Sequence, residues 1–162
     1  MRKSVFDPFL PATIGKVWSD LSLWECHQCG QCSAVCPSQL HGGIRTREII
    51  ERAMLGAINV EKEETIWFCM MCQSCTERCQ LNVNPSFIIT LVRNLASERG
   101  NIPKQYVDEA KLFMKTGLSF PKTGLTKKMR SEMKLDDFDI DQKTMTEITF
   151  IVNRTRLGRL GF

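Results

Sequence analysis

Cysteine occurs in this chain only as two quartets of identical spacing. The first is Cys26, Cys29, Cys32 and Cys36; the second is Cys69, Cys72, Cys75 and Cys79. Both read C-x2-C-x2-C-x3-C, and together they use all 8 cysteines. Three thiolates at this close spacing wrap one cubane iron–sulfur cluster from a single tight turn, and the fourth, offset by three residues, reaches the neighbouring cluster. The spacing therefore predicts two [4Fe-4S] clusters. Cys26, Cys29, Cys32 and Cys79 are expected on one, and Cys69, Cys72, Cys75 and Cys36 on the other.

Two other uses of cysteine fit less well. C-x2-C pairs also build closed zinc sites, but two complete quartets with a third x2-spaced thiol favour iron and sulfide. A disulfide framework belongs to secreted chains, and no secretory signal is legible: Met1, Arg2 and Lys3 are basic, but Ser4, Asp7 and Pro8 interrupt any apolar stretch. No apolar run approaches the roughly 18 residues a membrane span needs. A reducing, cytoplasmic setting is expected. The formal charge of +4 does not by itself argue for nucleic acid. A thiolate-bound cubane carries about −2 when oxidised, so two of them bring the loaded chain close to neutral. A basic stripe interleaved with aromatics is also missing.

The quartets sit in an internal repeat offset by 43 residues, in which Leu23-Trp24-Glu25-Cys26 aligns with Ile66-Trp67-Phe68-Cys69. Each run is followed by a helical apolar stripe: Ile49, Ile50, Ala53, Met54 and Ala57, then Phe87, Ile88, Leu91, Val92 and Leu95. The insertion that breaks the repeat lies at Ser38–Arg45, where Gly42-Gly43 marks a loop. Asn84 as cap, Pro85 in the first turn and Gly100 beyond the end bound the second helix. Further helices are expected at Thr13–Leu21, Lys104–Thr116 and Thr126–Lys134. Ile148–Val152 reads as a short strand inside a tail, residues 135–162, that orders on a partner. The fold class is thus mostly α, with a cluster-bearing domain over residues 1–117 and a docking extension over 118–162. The 32 residues between Cys36 and Cys69 leave room for a helix, an arrangement that resembles the α-helical ferredoxins.

Trp24 and Trp67, each separated from its run by one residue, are expected to pack over the clusters and exclude water. His27 and His41 are surplus to complete quartets and read as surface or packing residues. Arg45, Arg47 and Arg78 either balance cluster charge or form a solvated face, and Met70 and Met71 read as apolar cover. Pro37 follows the first run where Gln80 follows the second, so the two cluster walls differ. No G-x-G-x-x-G fingerprint and no phosphate loop are present. With every cysteine committed as a ligand, no thiol remains for nucleophilic or dithiol chemistry. The chain is expected to move electrons and to leave bond chemistry to a partner.

Cys26-x2-Cys29-Gly30-x-Cys32-x3-Cys36-Pro37, Arg47-x-Ile49-Ile50, Ala53-x-Leu55-Gly56 and Trp67-x-Cys69-x2-Cys72-x2-Cys75-x-Glu77-Arg78-Cys79 resemble the C-type iron–sulfur subunit of heterodisulfide reductase. Arg93-Asn94-Leu95-Ala96 and Thr116-Gly117-Leu118 with Pro121 extend the likeness over roughly residues 20–135; Gln80 departs from the usual Pro. The resemblance implies an electron-transfer protein of methanogenesis that works within a complex. It would pass electrons from the A-type flavin/iron–sulfur subunit to the B-type catalytic subunit, whose CCG motifs serve cleavage of the CoM-S-S-CoB disulfide. Two alternatives remain at this point: a free-standing ferredoxin-like carrier, and the iron–sulfur subunit of a quinone- or hydroxy-acid-linked oxidoreductase.

Overall fold

The computed structural model describes residues 6–17 and 22–159. Its chain falls into two units, residues 1–101 and 102–162. The first unit contains α1 (Leu10–Val17), α2 (Gln31–Ala34), α3 (Pro37–Leu40), α4 (Thr46–Met54), α5 (Ser74–Glu77) and α6 (Pro85–Glu98). Single 3₁₀ turns, Leu23–Glu25 and Thr65–Phe68, lead into the two cysteine runs.

The core of this unit forms where α1, α4 and α6 meet. Leu10 and Ile14, Ile49, Ile50 and Ala53, and Ile88, Ile89, Val92 and Ala96 supply most of it, closed by Leu23, Ile44, Ile58, Ile66 and Val83. The deepest positions on α6 are thus Ile88, Ile89, Val92 and Ala96. Phe87, Leu91 and Leu95, expected on the buried stripe, flank the core half-buried. β-Branched side chains fill most of these positions, and their restricted rotamers favour one packed arrangement.

α4 and α6 differ in length, 9 residues against 14, but end on the same motif. α6 starts as expected, with Asn84 accepting from the Phe87 amide and Pro85 in the first turn. It closes with Gly100 at φ 80° and the Asn101 amide donating to Ala96 O at 2.9 Å. α4 closes the same way, through Gly56 at φ 63° and the Ala57 amide donating to Arg52 O at 2.8 Å. This is the Schellman pattern, in which a left-handed glycine lets the last carbonyls find donors. The expected stripe is therefore one residue too long, because Ala57 lies beyond the helix. Gly56 is required on a second count: a Cβ there would strike the carbonyl of Asp7, whose amide donates to Gly56 O.

The second unit holds α7 (Lys104–Thr116), α8 (Gly124–Glu132), α9 (Gln142–Arg154) and a 3₁₀ turn at Leu157–Arg159. Its presence corrects two expectations. Residues 148–152 are helical: Asp141 caps α9 by accepting from the Thr144 amide at 2.7 Å, and of the five residues read as a strand only Ile148 and Val152 turn inward, with Val152 buried, while Thr149, Phe150 and Ile151 are exposed. The domain boundary falls at 101/102 and not at 117, because α7 packs against α9. The acidic stretch after Leu135 also has a local role, since Lys122 pairs with Asp137 at 2.7 Å and Asp139 at 2.8 Å. At the N-terminus α1 spans Leu10–Val17, earlier than the expected Thr13–Leu21, and residues 18–21 lie outside the described residues.

Candidate iron-sulfur centre

The two runs adopt one backbone path. Each leaves its 3₁₀ turn through an extended cysteine, Cys26 at φ −71°, ψ 112° and Cys69 at φ −68°, ψ 123°. The residue before the second cysteine is left-handed in both, Gln28 at φ 57° and Met71 at φ 53°. So is the residue after it, Gly30 at φ 87° and Gln73 at φ 62°. The left-handed region costs a non-glycine residue roughly 1–2 kcal/mol. Both runs accept that cost at matching positions, so the two loops share one turn geometry. A single helical turn then carries the third cysteine, Cys32 on α2 and Cys75 on α5.

These two turns pack against each other, so the runs lie side by side. Cys26, Cys29, Cys32 and Cys79 line one cavity, together with Gly30, Arg47, Ile50 and Val83. The Cys75 thiol is pushed up to about 11 by burial and by the negative charge of Cys69, Cys32 and Cys36 around it. Burial, and then the charges of Cys26 and Cys29, raise the Cys32 pKa as well. Cys79 from the second run thus joins the first-run triplet, and two thiols of the first run, Cys32 and Cys36, stand near Cys75. Crowded thiols that resist ionising alone are a donor set suited to a polynuclear cation, whose charge favours the thiolates and whose binding releases protons.

The thiols have distinct polar neighbours. Gln28 Nε2 donates to Cys26 Sγ at 3.3 Å. Cys72 is exposed, and Ser74 Oγ at 3.5 Å from its sulfur holds its pKa below the usual thiol value. The hydroxyl one residue beyond the third cysteine fastens each run to the helix that follows. Ser33 Oγ accepts from the Arg47 amide at 2.9 Å, and Thr76 Oγ1 accepts from the Ser86 amide at 3.4 Å. Arg93 on α6 donates Nε–H to Ile66 O at 2.9 Å and Nη2–H to Trp67 O at 3.0 Å and Cys69 O at 2.6 Å. Its guanidinium lies 5.3 Å from the centre of the Trp67 ring.

Several side chains stand elsewhere than expected. Trp67 packs against the core, but Trp24 is 65% exposed. Met70 and Met71 are exposed as well. His27 and His41 lie at the surface, one of the two roles expected of them, and Arg78 is exposed too. Arg45 pairs with Glu48 at 3.6 Å in solvent, whereas Arg47 lines the first-run cavity. Pro37 begins α3 with Cys36 as its cap; no helix starts at Gln80. The roles of Gln28, Ser33, Ser74, Thr76 and Arg93 went unread. Ser33 and Thr76 occupy one position of the 43-residue repeat, and Arg93 interrupts an apolar helix face; both were visible signals.

Residues 22–83 match the 4Fe-4S dicluster domain. Over 146 residues the chain is 35% identical to the C2 subunit of the H2/formate:CoB-CoM heterodisulfide,ferredoxin reductase of Methanococcus maripaludis, covering 87% of this chain and 79% of the relative. The chain belongs to the family of C-type heterodisulfide reductase subunits. Two further relatives agree. The C-type subunit of the H2:CoB-CoM heterodisulfide,ferredoxin reductase of Methanothermobacter marburgensis is 32% identical over 85% of this chain and 74% of its own. The C-type subunit of the ferredoxin:CoB-CoM heterodisulfide reductase of Methanosarcina mazei is 32% identical over 72% of each. As a homologue of these subunits with a dicluster domain, the chain is an iron–sulfur electron-transfer protein with two [4Fe-4S] clusters and a relay, not a catalytic, role. Among the described residues no helix is long and apolar enough to cross a membrane.

Proposed function

We propose that this chain is the cytoplasmic electron relay of a heterodisulfide reductase complex. It takes electrons from the A-type flavin/iron–sulfur subunit and delivers them to the B-type CCG-motif subunit that reduces the CoM-S-S-CoB disulfide. Cys26, Cys29, Cys32 and Cys79 hold one cluster, and Cys69, Cys72, Cys75 and Cys36 hold the other. When bound, the clusters supply one-electron storage. The protein's part is to hold them side by side by crossing one thiol from each run into the other's site. The observation that carries this reading is the cavity that Cys79 shares with the first-run triplet; the packing of α2 on α5 supports the short separation a relay needs. The disulfide substrate and the complex rest on what the methanogen relatives are named for.

The C-terminal unit is the docking element in this proposal. It carries Phe120, Leu125, Phe150 and Ile151 on its surface, apolar side chains available for a partner to cover. Anaerobic purification of the tagged chain from native extract tests the proposal. It should elute in a large complex with a flavin chain and a CCG-motif chain. Elution alone near 18.5 kDa would leave a free-standing carrier as the correct reading.

A further inference from the structure

Arg93 is the one charged residue among the buried side chains of the described chain, at 8% exposure. Removing a cation from water costs several kcal/mol unless something nearby offsets it. Three carbonyls and the face of Trp67 offset part of that cost. Among the described residues, however, no carboxylate lies within ion-pair distance of it. The described residues therefore leave a net positive charge fixed against the backbone of Cys69, the first cysteine of the second run.

The first run is built differently. In the register that superposes the start of α4 on that of α6 and pairs Ile49, Ile50 and Ala53 with Ile88, Ile89 and Val92, the uncharged Met54 takes the place of Arg93 and packs half-buried against the core. Arg47 does line the first-run cavity, but its side chain is exposed, where water and salt screen its charge. Gln28 gives Cys26 a hydrogen bond from a neutral amide, a weaker electrostatic influence than a buried ion.

We propose that Arg93 is the built-in countercharge of the cluster held by Cys69, Cys72, Cys75 and Cys36, and that it makes this cluster the more readily reduced of the two. Reduction adds one electron and one negative charge to the cluster, so a fixed cation stabilises the reduced state more than the oxidised one and raises the potential. Arg93 thereby biases an electron on this chain toward the second run. The inference rests on the ligand assignment proposed above.

An anaerobic redox titration followed by EPR on the full, cluster-loaded chain tests it, with signals assigned by Cys72→Ser. Arg93→Gln should lower the one-electron reduction equilibrium of the second-run cluster about tenfold, which is about 59 mV, and move the first-run cluster less than about twofold. Arg93→Lys keeps the charge and loses the planar fork, and should keep the second-run potential close to the parent's. An unchanged second-run potential in Arg93→Gln, an equal shift of both clusters, or a fall in Arg93→Lys as large as in Arg93→Gln overturns the proposal. Should Arg93→Gln fail to load, Arg93→Lys decides alone: a parent-like potential supports the countercharge, and a tenfold fall refutes it. A parent chain whose iron and sulfide amount to a single cluster would instead sink the ligand assignment.

Discussion

Ser33 Oγ accepts a hydrogen bond from the backbone amide of Arg47 at 2.9 Å. Ser33 follows the third cysteine of the first run, and Arg47 is the second residue of α4, where the amide has no partner within its own helix. Thr76 and Ser86 repeat the relationship at the second run, where Thr76 Oγ1 also donates to Asn84 Oδ1 at 2.8 Å. The hydroxyls thus fasten the first cysteine loop to the start of α4 and the second to the start of α6. Replacing a capping hydroxyl typically costs about 1 kcal/mol. Ser33→Ala should lower the unfolding free energy by that much, and Thr76→Val by more, since it also strips Asn84 of a donor. Denaturant melts of the two variants check this; equal stability to the parent in both would remove the hydroxyls from the account.

Arg52 Nη1 and Glu63 Oε2 meet at 2.6 Å and tie α4 to the segment before the second run. Burial pushes the Glu63 carboxyl up, but hydrogen bonds from Thr65 and Arg52 together hold it below its ordinary value of 4.5. A depressed carboxyl stabilises the fold above its unfolded pKa, and the contribution is lost as pH falls through the folded pKa. Glu63→Gln should therefore cost about 1 kcal/mol, the modest value of a partly solvated pair. The penalty should be equal at pH 7 and pH 5.5 and smaller at pH 4. Thermal melts at the three values decide it, and a penalty that grows on acidification would contradict the sign.

The cysteine ladders, both helices that follow them and the α7 range were legible because each rests on a local signal: ligand spacing, an apolar stripe, a cap or a terminal glycine. The α9 helix was misread because Ile148, Thr149, Phe150, Ile151 and Val152 are mostly β-branched or aromatic, residues that suit a strand. The cap at Asp141 and packing against α7 override that preference. The domain boundary was missed for a related reason, since no composition shift marks where α7 chooses its neighbour. Trp24 was misplaced because repeat symmetry carries the backbone path faithfully and the side-chain environment only in part. Arg93 occupies a position at which α4 has an apolar residue, and that asymmetry appears only once the two helices are superposed.

In the cluster-free chain the thiols should differ in reactivity. Cys72 is exposed and its pKa is held down by Ser74; Cys75 is buried and its pKa is pushed up to about 11. The thiolate is the nucleophile, so at pH 8 Cys72 should alkylate first and Cys75 last. Raising the pH toward 10 should accelerate Cys75 far more than Cys72, because only Cys75 is still largely protonated there. Ser74→Ala should slow Cys72. Timed iodoacetamide labelling with peptide mass spectrometry reads each rate, and comparable rates at Cys72 and Cys75 would defeat the expectation.

Cys79 belongs to the second run by sequence and lines the first-run cavity with Cys26, Cys29 and Cys32. Cys36 stands reciprocally among the charges that raise Cys75. Exchange of the fourth thiol predicts that Cys79→Ser damages the first-run cluster and Cys36→Ser the second-run cluster. Cys29→Ser and Cys72→Ser supply reference spectra, since each removes a ligand whose run is not in question. The EPR spectrum of reduced Cys79→Ser should match that of Cys29→Ser, and Cys36→Ser that of Cys72→Ser. The opposite pairing would mean that each run closes on its own cluster, and the two sites would then be joined by the packing of α2 on α5 and of α4 on α6, with no shared ligand.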